Sequence, residues 1–471
     1  MRDLTHEGAR SVDVAVIGAG TAGLAAYRAA AAVTPRVLLI EAGAHGTTCA
    51  RVGCMPSKLL IAAAEAAHHA REAGPFGVHA RVEVDGAAVM ERVRRERDRF
   101  VGFVLDGVER IPEADKLHGR ARFVAPGVLD VGGVRVEARA VVVATGSSPV
   151  MPPMFEGLGD RRVINDDVFE WRSLPASVAV FGVGVVGIEL GQALHRLGVR
   201  VRMFGRGGAV GPLTDPAVRA SALDALREEL PIDPDATVHG VRRVGDAVEV
   251  DFDDERGERR TERFEYVLVA AGRRPNLAGL GLDQSGVTLD ARGRARVDRH
   301  TMQCDGAAVF FAGDASDDVP LLHEAADEGR IAGDNAARYP AVTPGARRSL
   351  LAVTFSEPQL AVVGASLATL RASGDPVIGE VSFADQGRSR VMLQNRGLLR
   401  VYADRSTGRL LGAEMAGPRA EHIAHLLAWS HQQGLNVEQM LSMPFYHPVV
   451  EEGLRTALRD AHARILSARQ A

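Results

Sequence analysis

Short apolar runs alternate with glycine-rich turns and helical stretches along the first part of the chain. Residues 12–17 form an apolar run of strand length, an Ala-rich stretch at 24–33 follows a glycine turn, and residues 37–40 are typical of the next strand. A strand, a turn, a helix and a strand within about 30 residues predict a βαβ unit.

The same pattern returns in the middle of the chain. Residues 178–181 lead into a second glycine turn, which a helix from 188 to about 197 and a strand at 199–204 follow. Two such units predict two nucleotides bound side by side. Two more predicted strands end in Ala144-Thr145-Gly146 and Ala270-Ala271-Gly272, where the chain resembles a crossing between two domains. A further predicted strand ends in Gly313-Asp314.

After about Pro344 the pattern changes. Alternating apolar residues at 350–363, 398–402 and 410–415 are typical of antiparallel strands with one packed face, and helical stretches follow at 421–433 and 451–469. The predicted fold class is α/β, with two Rossmann-like dinucleotide-binding domains and a C-terminal α+β domain. A charged helix predicted at 91–110 carries no evident chemistry.

Composition narrows the class of protein. At roughly 150 residues per domain, 471 residues predict about three domains. The 56 Lys and Arg nearly balance the 60 Asp and Glu, which argues against a nucleic-acid or anionic-membrane binder. Three cysteines exclude a disulfide-stapled secreted scaffold, and we expect Cys304 to be a buried apolar residue. With no signal-peptide pattern at the N-terminus and no long apolar run, we expect a cytoplasmic protein.

The two glycine turns have the spacing of dinucleotide-binding turns. Such a turn lets backbone N–H groups approach a pyrophosphate and packs the helix closely on the strand. Glu41 ends the second strand of the first unit, where its carboxylate can accept hydrogen bonds from ribose hydroxyls. The glycines concerned are Gly18, Gly20 and Gly23 in the first unit and Gly182, Gly184 and Gly187 in the second.

The second unit lacks the acidic residue of the first. The position that corresponds to Glu41 is Gly205, and Arg206 follows it. A cation there could accept a 2′-phosphate, which favours NADP over NAD. The alternative is that Arg206 stacks on adenine or faces solvent, and Arg200 and Arg202 on the preceding strand could equally be surface residues.

Cys49 and Cys54 are the most informative pair. Five steps along a regular helix rise about 7.5 Å, so a bond between the two requires a distorted turn, which Gly53 can supply. Pro56 suits the first turn of a following helix. One alternative is a structural disulfide, but a disulfide that closes so small a loop adds little stability. The other is a zinc site, but zinc takes four ligands and no second Cys pair exists. The spacing favours a redox-active dithiol, whose thiolate the helix start and Lys58 would stabilise.

His447 stands in the C-terminal motif His-Pro-Val-Val-Glu-Glu. A thiol enzyme needs a base for an incoming dithiol, and histidine suits that task. A carboxylate on the other ring nitrogen would fix the tautomer, and both Glu451 and Glu452 are candidates. The alternative is a surface or packed histidine, one of 15 in the chain.

Together these residues resemble the flavin disulfide reductases of the glutathione reductase and lipoamide dehydrogenase type. The resemblance implies an FAD-binding domain (1–150 and 277–345), an NAD(P)-binding domain (151–276) and a dimerisation domain (346–471). It implies that Asp314 lies near the ribityl and pyrophosphate part of FAD and that Lys58 pairs with Glu189. It also implies a homodimer in which His447 and Glu452 of one subunit serve the Cys pair of the other. Further cofactor-binding positions carried over from the family are Thr48, Thr145, Gly146, Gly313 and Gly272.

Lipoamide dehydrogenase is the type that the sequence resembles most. The thioredoxin and mercuric reductase types carry an additional C-terminal Cys pair that is absent here, and a soluble transhydrogenase of this fold lacks the Cys pair that is present. The resemblance implies oxidation of dihydrolipoamide with hydride transfer to NAD+, and a 2-oxoacid dehydrogenase complex is the candidate partner. Two alternatives stay open, namely an NADPH-dependent reductase of a glutathione-like disulfide and a flavin-binding subunit or redox sensor.

Overall fold

The computed structural model describes residues 9–291 and 293–470. The predicted lack of a signal peptide concerns residues 1–8 in part, and those residues lie outside the described chain. The strands are β1 (Arg10–Ile17), β2 (Val37–Glu41), β3 (Lys116–His118), β4 (Ala121–Ala125), β5 (Val128–Val131), β6 (Val134–Val143), β7 (Ser147–Pro149), β8 (Arg162–Val163), β9 (Ser177–Phe181), β10 (Arg200–Phe204), β11 (Ile232–Asp233), β12 (Val238–Val244), β13 (Ala247–Asp253), β14 (Arg259–Phe264), β15 (Tyr266–Val269), β16 (Arg273–Pro275), β17 (Val309–Phe311), β18 (Leu351–Thr354), β19 (Gln359–Gly364), β20 (Val377–Ser382), β21 (Leu398–Ala403) and β22 (Leu410–Gly417).

Helices alternate with these strands. The α-helices are α1 (Thr21–Ala31), α2 (Thr48–Val52), α3 (Cys54–Arg71), α4 (Gly86–Glu109), α5 (Asn165–Val168), α6 (Val185–Arg196), α7 (Pro216–Arg227), α8 (Leu322–Arg338), α9 (Leu367–Ser373), α10 (Gly387–Val391), α11 (Ala420–Gln432), α12 (Val437–Leu441) and α13 (Glu452–Gln470). Short 3₁₀ turns lie at Gly74–Phe76, Glu113–Asp115, Pro153–Arg161, Leu282–Gln284 and Gly313–Ser316.

The chain forms two compact units. The first combines Met1–Pro56, Arg94–Val150 and Arg273–Arg347, and it contains the first predicted nucleotide fold. The second combines Ser57–Val93, Met151–Gly272 and Arg348–Ala471, and it contains the second nucleotide fold together with the C-terminal α+β part. The division into three domains stays a prediction.

A seven-stranded sheet organises the first unit. Its order is β3-β2-β1-β6-β5-β4, and β17 also pairs with β6. The strands β3, β2, β1, β6 and β17 run parallel, as a βαβ fold requires, whereas β4 and β5 add an antiparallel hairpin. Glycines bring α1 and α8 close together, because a Cβ at Gly329 would lie 2.1 Å from the Ala22 carbonyl oxygen. The predicted βαβ unit is confirmed.

The second unit contains a parallel sheet and two antiparallel sheets. The parallel sheet has the order β11-β10-β9-β15-β8, and the hairpin sheet β12-β13-β14 lies between β11 and β15 in sequence. The C-terminal sheet has the order β18-β19-β22-β21-β20, all antiparallel. The α/β fold class with an α+β C-terminal part is confirmed. No helix within the described residues is long and apolar enough to cross a membrane.

Candidate active site

The first glycine turn joins β1 to α1. A Cβ at Gly18 would lie 2.3 Å from the Ala144 carbonyl oxygen, and a Cβ at Gly23 would lie 1.7 Å from the carbonyl oxygen of Gly18. By contrast, a Cβ at Gly20 would meet no atom within 4 Å. The outer glycines therefore pack the turn, while the middle glycine faces open space at the start of a helix, where a pyrophosphate fits.

The surroundings of this turn fit the adenosine and pyrophosphate parts of FAD. Glu41 ends β2, and its carboxylate accepts hydrogen bonds from the N–H of Ala19 at 2.7 Å and of Gly43 at 2.7 Å. A carboxylate offers about four acceptor sites, so sites remain for ribose hydroxyls. Nδ1 of His45 and Oγ1 of Thr145 are buried without a hydrogen-bond partner. Buried polar atoms normally have partners, so these two atoms fit hydrogen bonds to a bound cofactor.

Gly313 and Asp314 follow β17 after one residue, Ala312. The N–H of Gly313 donates to Oε2 of the fully buried Glu328 at 2.8 Å, which anchors the backbone of this turn. Oδ2 of the half-buried Asp314 accepts a hydrogen bond from the Ser147 hydroxyl at 2.5 Å. Since Ser147 begins β7 directly after Gly146, two of the strand ends singled out in the sequence lie side by side.

The second glycine turn repeats the geometry of the first. It joins β9 to α6, and a Cβ at Gly182 would lie 2.2 Å from the Ala270 carbonyl oxygen. A Cβ at Gly187 would lie 1.9 Å from the carbonyl oxygen of Gly182, whereas one at Gly184 would meet nothing within 4 Å. The same division between packing glycines and an open middle position fits a second dinucleotide.

The loop after β10 shows why an acidic residue is absent there. A Cβ at Gly205 would lie 2.4 Å from the Pro234 carbonyl oxygen. Arg206 is exposed and has no ion-pair partner among the described residues. Arg200 and Arg202 on β10 instead form ion pairs with Glu262, at 3.3 and 2.9 Å.

The cysteine pair spans a break between two helices. Cys49 is half-buried in α2, Cys54 is exposed at the first position of α3, and Gly53 between them has non-helical dihedral angles. A Cβ at Gly53 would lie 3.0 Å from the Thr48 carbonyl oxygen and 3.2 Å from Cα of Cys49. The predicted distortion at Gly53 is confirmed, and it brings the two helices into close approach.

Two further residues of the segment lie at helix starts, and the place of Pro56 is the one that the sequence predicted. Pro56 lies in the first turn of α3, and Thr48 is exposed at the start of α2. Cys304 is fully buried, and burial raises the pKa of its thiol to about 12. A thiol of that kind is a poor nucleophile, which agrees with the expected apolar role.

Lys58 and Glu189 form an ion pair. Nζ of Lys58 on α3 donates to both carboxylate oxygens of Glu189 on α6, at 2.9 and 2.8 Å. The same Nζ lies 4.7 Å from the ring centroid of Phe355, and the Phe355 N–H donates to Glu189 at 2.9 Å. Only 5% of the Glu189 side chain is exposed, so the pair is held in a restricted environment.

His447 pairs with Glu452 rather than with Glu451. Nδ1 of His447 lies 2.9 Å from Oε2 of Glu452, the first residue of α13. Burial alone would raise the pKa of Glu452, but hydrogen bonds from His447 and from the Val449 N–H lower it below the ordinary value. An ionised carboxylate on Nδ1 keeps the proton there and leaves Nε2 with its lone pair, as a base requires.

The comparisons with known proteins agree with this geometry. A family model described as pyridine nucleotide-disulphide oxidoreductase matches residues 12–329. The chain belongs to this family. The dimerisation domain of the pyridine nucleotide-disulphide oxidoreductases matches residues 351–458.

Individual relatives cover nearly the whole chain. Dihydrolipoyl dehydrogenase from Thermus scotoductus is 31% identical over 97% of this chain and 99% of its own length. Mercuric reductase from Shigella flexneri is 32% identical over 97% of this chain and 83% of its own length. Among solved structures, LpdA from Mycobacterium tuberculosis has a TM-score of 0.80 at 26% identity and covers 95% of this chain and 99% of its own.

As a member of this oxidoreductase family, the protein is an FAD-dependent enzyme that acts on sulfur groups with a pyridine nucleotide. Its dimerisation domain makes it a homodimer. Three residues of the first unit were not singled out from the sequence: His45, which follows β2, and Ser147 and Arg273, which are hydrogen-bonded to each other. His45 is close to Glu41 in sequence and could have been found there, but Arg273 is 126 residues from Ser147 and only the fold joins them.

Proposed function

We propose that the protein is a dihydrolipoyl dehydrogenase, which oxidises dihydrolipoamide and transfers a hydride to NAD+. The observation that carries the proposal is that one chain combines Cys49 and Cys54 across a helix break with a His447–Glu452 pair. Relatives of nearly equal length that carry the name dihydrolipoyl dehydrogenase support this substrate.

The proposed reaction begins with a proton transfer. Nε2 of His447 of the partner subunit takes a proton from a thiol of dihydrolipoamide, while Glu452 holds Nδ1 of that histidine. The substrate thiolate attacks Sγ of Cys49 in the Cys49–Cys54 disulfide, and Cys54 leaves as a thiolate. The second substrate thiol then displaces Cys49, so that lipoamide leaves as a cyclic disulfide and both cysteines are reduced.

The rest of the chain holds the cofactors for this exchange. FAD, when bound, would supply the two-electron chemistry that links the reduced cysteines to the nicotinamide coenzyme. Gly18, Gly20 and Glu41 would hold the adenosine and pyrophosphate part, and Asp314 the ribityl part. The Lys58–Glu189 pair would keep a compensated positive charge beside the flavin.

A second candidate function is the NADPH-dependent reduction of a small disulfide. Arg206 favours it, because this exposed cation at the end of β10 has no ion-pair partner among the described residues. Guanidinium groups bind phosphate well, and a 2′-phosphate would meet a cation at this end of the strand.

Initial rates of NAD+ and NADP+ reduction by dihydrolipoamide test both candidates on the FAD-loaded enzyme. We expect turnover with NAD+, unchanged in an Arg206→Ala variant. A strong preference for NADP+ that Arg206→Ala removes would assign Arg206 to the 2′-phosphate. A flavin-loaded enzyme that oxidises no dihydrolipoamide with either coenzyme would contradict the proposal, and NADPH with small disulfides would then be assayed.

The physiological substrate would be a lipoyl group of a 2-oxoacid dehydrogenase complex. If so, the reduced lipoyl domain of such a complex should be oxidised at a lower KM than free dihydrolipoamide. Equal KM values for the two substrates would count against docking to the complex.

A further inference from the structure

A chain of three hydrogen-bonded side chains ends at Asp314. The Ser147 hydroxyl donates to Oδ2 of Asp314 at 2.5 Å, and Nε of Arg273 donates to the Ser147 hydroxyl oxygen at 2.8 Å. A terminal nitrogen of the same guanidinium donates to the Ser147 carbonyl oxygen at 2.7 Å. All three residues belong to the first unit.

The direction of each hydrogen bond follows from the chemistry. A guanidinium group can only donate, and an ionised carboxylate can only accept. The hydroxyl has a single proton, so Ser147 accepts the hydrogen bond from Arg273 and donates one to Asp314. The hydrogen bond from Ser147 therefore uses one acceptor site of the Asp314 carboxylate and leaves the others for a hydroxyl of a ligand.

The backbone fixes both ends of this series of hydrogen bonds. Strands β7 and β16 pair antiparallel, so that Ser147 lies opposite Pro275 and Arg273 opposite Pro149. At the other end, Glu328 accepts from the Gly313 N–H, and the nearly buried Arg347 guanidinium donates to Glu328 at 2.9 Å. Asp314 is therefore fixed through both its side chain and the backbone before it.

From this geometry we propose that Ser147 and Arg273 are positioning residues for FAD, which hold the Asp314 carboxylate toward the ribityl chain of the flavin. The proposal rests on the placement of FAD in the proposed function. Neither side chain needs to touch the flavin, because Arg273 acts through Ser147 and Ser147 acts through Asp314.

A Ser147→Ala variant tests this role when apoprotein is titrated with FAD and with ADP. ADP lacks the ribityl chain, so it reports on the glycine turn and Glu41 alone. We expect the Kd for FAD to rise about tenfold, a loss of about 1.4 kcal/mol of binding free energy, because Asp314 is no longer held toward the ribityl chain. The Kd for ADP should stay unchanged.

Matched controls come from the neighbouring positions. Ser148 donates to Asn276 rather than to Asp314, and Arg274 is exposed beside Arg273. Ser148→Ala and Arg274→Ala should therefore keep wild-type FAD affinity, whereas Arg273→Ala should weaken FAD binding as Ser147→Ala does. An unchanged Kd for FAD in Ser147→Ala, or an equal loss for FAD and ADP, would overturn the inference. Wild-type apoprotein that binds no FAD would overturn the proposed function itself.

Discussion

At the scale of single residues, steric contact with the backbone decides which side chain can stand at position 205. Position 205 corresponds to Glu41 of the first nucleotide fold, but the backbone of Pro234 would lie 2.4 Å from any Cβ there. A glutamate cannot stand at this position unless the loop moves. The absent acid is therefore a consequence of packing, and it does not by itself indicate a 2′-phosphate. The exposed Arg206 is therefore the residue whose substitution tests coenzyme preference at this turn.

Gly20→Ala is expected to separate ligand binding from folding. The added methyl group meets no protein atom within 4 Å, so the thermal unfolding midpoint of the apoprotein should stay unchanged. The same methyl group would occupy the space proposed for the FAD pyrophosphate. We expect the Kd for FAD to rise by at least about tenfold, measured by fluorescence titration of apoprotein.

Gly23→Ala is the contrasting variant at the same turn. Its Cβ would lie 1.7 Å from the Gly18 carbonyl oxygen, so the apoprotein itself should be destabilised. Wild-type FAD affinity in Gly20→Ala would show that the open space beside this glycine does not hold the pyrophosphate.

At the scale of elements, one buried arginine joins three parts of the second unit. Arg196 at the end of α6 is 5% exposed, and its Nε lies 2.6 Å from Glu229, which follows α7. Its Nη1 lies 2.8 Å from Glu357 in the turn between β18 and β19. Helix α6, which follows the second glycine turn, is thus linked to the C-terminal sheet by an ion pair as well as by packing.

Glu357→Gln is expected to change how stability depends on pH. Burial by itself raises the pKa of Glu357, but Arg196 outweighs this and lowers the pKa below its ordinary value. The ion pair therefore stabilises the fold above the ordinary pKa of a glutamate, and this contribution is lost as pH falls through the lowered pKa. At neutral pH we expect Glu357→Gln to reduce the free energy of unfolding by about 2 kcal/mol.

Urea denaturation at several pH values measures this effect. The difference between wild type and Glu357→Gln should shrink toward acidic pH, where the wild-type carboxylate is also neutral. A difference that stays constant from neutral to acidic pH would mean that packing, and not the ion pair, accounts for the loss.

At the scale of the whole molecule, the groups of the proposed reaction lie far apart in the sequence. Cys49 and Cys54 stand near the start of the chain, and His447 stands near its end in the dimerisation domain. A homodimer contains two copies of each group, so the proposed site can be completed from two subunits.

Heterodimers of two inactive subunits test that arrangement. Cys49→Ser should abolish dihydrolipoamide oxidation but keep bound flavin, and His447→Gln should lower it by about 10²–10⁴-fold. If His447 serves the partner subunit, a heterodimer of the two variants contains one intact site. Co-expression with two affinity tags should then give about half of wild-type turnover per dimer.

The homodimers of each variant are the controls for this measurement. Negligible turnover of the purified heterodimer would place His447 and the Cys pair of the same subunit in one site. Both variants should keep NADH oxidation with an artificial electron acceptor at rates closer to the wild type.

Much of the fold could be predicted from residue patterns because each element carries its own periodicity. Strand β9 and helix α6 lie within a few residues of the predicted bounds, and the glycine turn between them has the predicted place. The alternating run at 350–363 contains a turn that the pattern did not reveal, and the structure divides it into β18 and β19. Local patterns report which face is buried but not where a chain reverses among small and polar residues.

The sequence by itself determined the two nucleotide folds, the cysteine pair and the terminal histidine, because glycine spacing, apolar runs and reactive side chains are local properties. Only the tertiary structure decided which groups meet. It chose Glu452 over Glu451 for His447, excluded a side chain at Gly205, and joined Arg273 through Ser147 to Asp314. Ser147 lies more than a hundred positions from both Arg273 and Asp314, and Gly205 is opposed by the backbone of Pro234. The choice between the adjacent Glu451 and Glu452 depends on how the chain folds at the start of α13, so no local pattern carries this information.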